Sequence, residues 1–198
     1  MMKRLLPLGI ILLVLSGCAS TKVSRISSDE VIDLSGRWND TDSRLTAEEI
    51  VADVLSRPWL DDFLASNGEK PVLIVGTVSN KSSEHIEVLT FIKDIEKELI
   101  NSGRIRFVAN KEERQEVREE REDQQSNATE ATAKALASET GADFMLQGVI
   151  TSITDAVDGE KVIKYQVAME LIHLENNEKV WIGSNEVKKF IKQSKSNW

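Results

Sequence analysis

The stretch that decides the fold is Asp158-GEKVIKYQVAMELIH-Leu174. Asp158-Gly159 is a strong hairpin signal, because both residues tolerate the positive φ angles of a tight two-residue turn. From Val162 onward the sequence alternates. Ile163, Tyr165, Val167, Met169 and Leu171 fall on one face, and Lys164, Gln166 and Glu170 on the other. A period of two places one face on a core and the other toward water, as in an antiparallel strand. The run Phe144 to Ile153 before the turn is the other arm of the hairpin. Asn176-Asn177 then turns the chain into a last strand around Val180-Trp181-Ile182-Gly183. Trp181 reads as core, and Lys188, Lys189, Lys192 and Lys195 follow as a basic tail.

Upstream the period changes to that of helices. Thr46-x-x-Glu49 reads as a capping box that opens a helix at about Ala47, with Ile50, Val51, Val54 and Leu55 inward. Pro58 breaks or restarts it, and Trp59, Leu60, Phe63 and Leu64 continue to an Asn67-Gly68 stop. Val72-LIVGT-Val78 is short, apolar and β-branched, the composition of a strand covered on both faces. Ser82 or Ser83 is placed to cap the next helix. Its Val88, Ile92, Ile95 and Leu99 form a stripe flanked by Phe91 and Ile100, and Asn101-Ser102-Gly103 ends it. Ile105 to Ala109 reads as a second strand. Asn110-x-x-Glu113 opens a helix over 111–125 in which Val117 is the single apolar side chain. Asn127-x-x-Glu130 caps a further helix with Ala128, Ala131 and Ala135 on one face, ended by Gly141. The expected architecture is α/β (α+β): a mixed four- to five-stranded sheet with helices packed on it, in the order α-β-α-β-α-α-β-β-β.

Composition narrows the function. The chain has 198 residues, 25 Lys and Arg against 33 Asp and Glu, and a net charge of -8. That balance argues against a nucleic-acid partner, which wants a basic footprint. A single cysteine excludes an internal disulfide or thiolate cluster, and two distant histidines do not make a metal site. No cofactor and no small-molecule substrate are expected. His85 stands beside Ser82, Ser83 and Glu84, but neighbouring positions at a helix start do not converge on one reacting atom, and no Gly-x-Ser-x-Gly elbow exists. The chain reads as a non-enzyme. His173, on a strand, reads as half-buried structure.

The N-terminus reads as an address. Lys3 and Arg4 precede an apolar run, Leu5 to Leu15, too short to span a bilayer as a helix, which needs roughly 20 residues. Leu15-Ser16-Gly17-Cys18 matches the bacterial lipobox, which implies cleavage before Cys18 and acylation of its thiol. Two or more acyl chains give stable anchoring. Residues 1–17 are then the signal peptide, 18–43 the acylated N-terminus and tether, and 44–198 one globular domain. Removing Lys3 and Arg4 leaves 23 basic against 33 acidic residues, so anionic headgroups repel the domain and the acyl chains must hold it. Ala19 after the cysteine favours the outer membrane under enteric-type sorting. Within the tether, Trp38 is expected to dock on the domain.

Five stretches resemble the penicillin-binding protein activator LpoB family of bacterial lipoproteins. They are the lipobox; Pro71-VLIVGTVSNKSSEH-Ile86; the helix ending Ile100-Asn-Ser-Gly103; Gly141-ADFMLQ-Gly148; and Lys179-VWIGSNEVKKF-Ile191. The family's fold is also similar to the N-terminal domain of TolB and the periplasmic core of the curli secretion lipoprotein. The resemblance implies a domain facing the periplasm that binds a peptidoglycan polymerase, a penicillin-binding protein, and raises its activity. One departure is the tether: the prolines lie at 7, 58 and 71, and the 26 residues from Cys18 to Arg44 reach at most ~90 Å. Other envelope proteins, as partners of a curli-secretion or TolB-like assembly module, form the alternative reading. Candidate partner contacts are Arg114, Arg118 and Arg121 on the charged helix, and Asn80 and His85 in the polar loop after the first strand.

Overall fold

The computed structural model describes residues 22–27, 30–127 and 140–192. The chain divides into two compact units, Met1–Glu30 and Val31–Trp198, and the second carries the fold. Its elements are α1 (Asp40–Leu55), α2 (Pro58–Asn67), β1 (Val72–Asn80), α3 (Val88–Asn101), β2 (Arg106–Phe107), α4 (Lys111–Asn127), β3 (Phe144–Val157), β4 (Glu160–His173) and β5 (Lys179–Lys192). The strands form one mixed sheet in the order β2-β1-β3-β4-β5. β1 runs parallel to β2 and β3, and β3, β4 and β5 form an antiparallel meander. The expected fold class and strand count hold. The small-residue helix expected over 127–140 lies largely outside the described residues; Asn127 itself ends α4.

The hairpin forms where the sequence placed it. Asp158 and Gly159 have φ of 46° and 83°, the positive values that a twist-matched two-residue turn requires. Ile163, Tyr165, Val167, Met169 and Leu171 are all buried and line the inner face of β4. α1 and α3 lie on that face, and α1 also covers β5. From α3, Phe91, Ile95 and Leu99 are fully buried, while Ile100 is exposed. Each such side chain contributes about 1.5–3 kcal/mol by leaving water. Val72 to Val75 is buried on both sides, and the cover ends at Gly76, beyond which Thr77 is exposed. Trp181 is core, as expected: its ring lies over Gly183, where an added Cβ would sit 2.8 Å from Cε2. Its Nε1 donates to Asp53 Oδ2 on α1 at 2.8 Å.

Four local expectations change. α1 opens at Asp40 on an Asn39–Asp42 capping box, so Thr46 is an interior, buried residue whose hydroxyl donates to Asn185 Oδ1 at 3.1 Å. Asn39 wins because it sits where the chain turns in from Trp38, a full two turns earlier. α3 is capped by Glu87, whose carboxylate accepts from the Leu89 amide at 3.2 Å, whereas Ser82 and Ser83 stay in the loop before it. β2 is two residues long because only Val72 and Leu73 are in register with it. The basic tail belongs largely to β5, which runs on through Lys188, Lys189 and Lys192. α2 ends as expected, with Gly68 at φ 70° in the left-handed region. No helix among the described residues is long and apolar enough to cross a membrane.

Candidate docking surface

α4 is the element with the least reason to fold for packing alone. Its start is fixed locally: Asn110 Oδ1 accepts from the Glu113 amide at 2.9 Å, and Glu113 Oε2 accepts from the Asn110 amide at 3.0 Å. This is the reciprocal capping box. Glu113 also reaches across to α3, where Lys93 Nζ donates to it and to Glu96, each at 2.7 Å. The two carboxylates hold the Lys93 ammonium up at about 12, and the Lys93 bond, then the Asn110 amide, hold the Glu113 carboxyl below its ordinary value.

The rest of α4 sorts by charge around its axis. At 100° per residue, Lys111, Arg114, Arg118 and Arg121 fall within one stripe, with Val117 at its margin. Glu112, Glu116, Glu119, Glu120 and Asp123 fall on the opposite side, while Glu122 falls within the basic stripe, one turn on from Arg118. The like-charge pairs at i,i+4, unfavourable for an isolated helix, are the consequence of this separation. Arg114 and Arg121 are half-buried, Arg118 is exposed, and Val117 is 44% exposed. Arg114, Val117 and Arg121 line a groove of about 290 Å³ with Phe107, Val108 and Ala109. The three arginines singled out from sequence are therefore brought together.

Asn80 and His85 lie apart from that stripe, at the end of β1 and in the loop after it. Asn80 organises the loop. Its Oδ1 accepts from the Ser82 amide at 2.9 Å and the Ser82 hydroxyl at 2.7 Å, and its Nδ2 donates to the Glu84 carbonyl at 2.8 Å. His85 is exposed on the loop so formed. Cys18 lies outside the described residues.

Two features were not singled out from sequence. The first is a clasp on residues 33–43. Lys189 Nζ on β5 donates to Asp33 Oδ1 at 2.6 Å and to the Arg37 carbonyl at 2.9 Å, and pairs with Asp42 Oδ2 at 2.6 Å. Burial alone would lower the Lys189 pKa, but the bonds to Asp33 and Asp42 outweigh it and raise the pKa. Beside it, the fully buried Tyr165 donates to Glu84 Oε2 at 2.6 Å. Burial first, and that carboxylate second, push the Tyr165 phenol well above its ordinary value. Trp38, which the sequence did single out to dock on the domain, packs edge-on against Tyr165, with ring centroids 5.5 Å apart, and its Nε1 donates to Ser43 Oγ at 2.8 Å. The second feature is an open concavity of about 760 Å³ lined by Trp59, Phe63, Phe144 and His173, among others. His173 is half-buried there, edge-on to Phe144 at 4.9 Å, with Nδ1 3.0 Å from Asn176 Oδ1. Among the described residues no three His, Cys, Asp or Glu side chains gather as a metal site.

Residues 42–187 match the family model described as peptidoglycan-synthase activator LpoB. No curated protein matches the chain. Among solved structures, the LpoB C-terminal domain from Salmonella enterica is 16% identical with a TM-score of 0.41, covering 74% of this chain and 98% of its own. The corresponding Escherichia coli domain is 15% identical with a TM-score of 0.40, covering 77% and 99%. Lipoprotein GNA1162 from Neisseria meningitidis is 18% identical with a TM-score of 0.38, covering 64% and 88%. The family match spans every described element from α1 into β5, so this chain belongs to the LpoB family of peptidoglycan-synthase activators.

Proposed function

We propose that the chain is an acylated lipoprotein, held to the outer membrane through Cys18, that binds a penicillin-binding protein in the periplasm and raises its glycan-polymerising activity without chemistry of its own. The family match over residues 42–187 carries this reading. The contact is made by the basic stripe of α4, where Arg114, Arg118 and Arg121 share one side of the helix and would meet partner carboxylates. Arginine is suited to this, because its planar fork pairs a carboxylate through two parallel bonds. Charge complementarity of this kind steers encounter and fixes register. The chain's overall net charge of -8 makes such a local basic stripe selective, since the rest of the surface repels acidic partners.

The test is a purified polymerase assay with and without the protein. Added protein should raise glycan chain synthesis. An unchanged rate would favour instead an assembly module of the curli-secretion or TolB-like type. The double reversal Arg118→Glu and Arg121→Glu should weaken capture of the synthase without unfolding the domain, since Arg118 is exposed and Arg121 is only half-buried. Unchanged capture at equal melting temperature would remove α4 from the contact. Cys18→Ala should abolish acyl labelling, and persistent labelling would remove the anchor.

A further inference from the structure

The sheet has two edges, and they differ. β2 is two residues long, whereas β5 has fourteen and pairs only with β4 among the described residues. No backbone group on its outer edge meets a backbone partner there. A long unpaired edge is a template for another strand. The side chains that such a strand would meet on the solvent face are Ile182, Ser184, Glu186, Lys188, Phe190 and Lys192. Ile182 and Phe190 are each 64% exposed. Lys188 is directly opposite Lys164 of β4, a like-charge pair that costs stability. Lys164 is already bonded to Glu186 at 2.6 Å, and Lys188 has no ion pair among the described residues.

We propose that a second copy of this chain occupies this edge, with the two β5 strands antiparallel about a two-fold axis at Val187. Positions equally distant from Val187 then face each other. Glu186 lies opposite the partner's Lys188, and Lys188 opposite the partner's Glu186, so the unpaired lysine gains a counter-charge twice over. Phe190 lies opposite the partner's Ser184 and diagonal to the partner's Ile182, a distance of about 7–8 Å that an aromatic ring bridges. Ile182 faces the aliphatic stem of the partner's Lys192. The register is specific. A slip that moves the axis to Glu186 sets glutamate on glutamate, and one that moves it to Lys188 sets lysine on lysine. The same surface patch serves both copies, as closed two-fold association demands. The result is one continuous sheet through two five-stranded halves.

The test is co-purification of two differently tagged full-length chains from detergent extracts. Glu186→Lys should capture itself on the order of tenfold less than wild type captures wild type, because two attractive cross-strand pairs become repulsive. Lys188→Glu should behave alike. The two single variants mixed should capture each other at or near the wild-type level, since every facing pair is then opposite in sign. Lys188→Gln should lose roughly two- to threefold, lacking the repulsion. Absence of wild-type self-capture, equal capture by all combinations, or failure of the mixed pair to recover would each overturn the proposal.

Discussion

Lys189→Met tests whether the clasp holds residues 33–43 to the domain. The methionine keeps most of the aliphatic stem, so the change removes a charge more than it removes packing. The Lys189 side chain is 9% exposed, that of Asp42 11%, and that of Asp33 47%. Breaking a buried ion pair from one side costs about 3–5 kcal/mol, because the remaining charge stays buried without its partner. Asp33 is half in water and loses little. Asp42 still accepts from the Asn39 amide at 2.9 Å, which offsets part of its loss. The expected cost is the lower end, about 3 kcal/mol. For a unit of this size a kcal/mol shifts the midpoint by about 2–4 °C, so melting should fall by about 6–12 °C. Circular dichroism at 222 nm reads it. Asp42→Asn combined with Lys189→Met should melt above Lys189→Met alone, since it removes the stranded carboxylate. The raised lysine pKa means this stabilisation is complete below the ordinary lysine value of 10.5 and fades only as pH rises through the higher folded value. The difference between variant and wild type should therefore be flat from pH 6 to 9. A midpoint within about 2 °C of wild type, or no recovery in the double variant, would refute the reasoning.

Tyr165→Phe should cost about 1–2 kcal/mol in urea unfolding, because Glu84 Oε2 is left with the Trp38 amide alone, at 3.4 Å; a loss under ~0.3 kcal/mol would contradict the burial of that bond. Glu113 has its folded pKa lowered by Lys93, so its contribution is present above the ordinary glutamate value of 4.5 and is lost as pH falls through the folded value. Amide protection at the start of α4, taken relative to the intrinsic exchange rate, should fall below that point and stay flat between pH 5 and 9; protection that does not fall in acid would mean that the Lys93 stitch does not hold the helix. The stitch is half exposed, so Glu113→Gln should cost well under ~1 kcal/mol globally. Gly148→Ala should destabilise by about 1–3 kcal/mol, because the new Cβ meets Met169 Sδ and lies 2.5 Å from the Ala168 carbonyl oxygen; a wild-type denaturation midpoint would show that the β3–β4 pair yields there.

What was legible in the sequence was what short-range chemistry decides. The period of two from Ile163 to Leu171 needs no partner to be read, and neither does the Asp158-Gly159 turn or the Asn110–Glu113 box. Errors arose where two local signals competed. Thr46-x-x-Glu49 has the right spacing for a cap, but Ala47, Ile50, Val51 and Val54 continue a face that already begins with Thr41 and Ser43, and burial decides in favour of the longer helix. The lysines after Gly183 look like a tail because β5 is exposed on alternate residues, so Lys188 and Lys192 in water mask Lys189 in the core. The clasp was illegible for a different reason. Lys189 and Asp33 are 156 residues apart in sequence, and Tyr165 and Glu84 are 81 apart. Nothing local distinguishes these polar residues from solvated ones. The α4 arginines were readable for the same reason as the hairpin, because positions 114, 118 and 121 share one side of any helix that contains them.

The clasp changes how far the proposed anchor lets the domain reach. Counted to Arg44, a tether from Cys18 spans at most ~90 Å. Because Lys189 ties Asp33 to β5, the span ahead of the clasp is shortened to the 15 residues from Cys18 to Asp33 (33 − 18), at most ~53 Å. The lost ~40 Å is exchanged for a fixed point of attachment on the domain. That point is Lys189, three residues from the Lys192 end of β5, and the ten residues from there back to Lys179 at the β4–β5 turn run ~33 Å. From Cys18 to that turn the outermost reach is therefore ~86 Å, more than a third of it rigid. A flexible tether presents a domain in all orientations and loses effective concentration with length, whereas a short span with a rigid continuation concentrates it. The family's partner would then have to come within that distance of the anchoring membrane, and loosening the clasp would lengthen the span while blurring the orientation of everything built on β5.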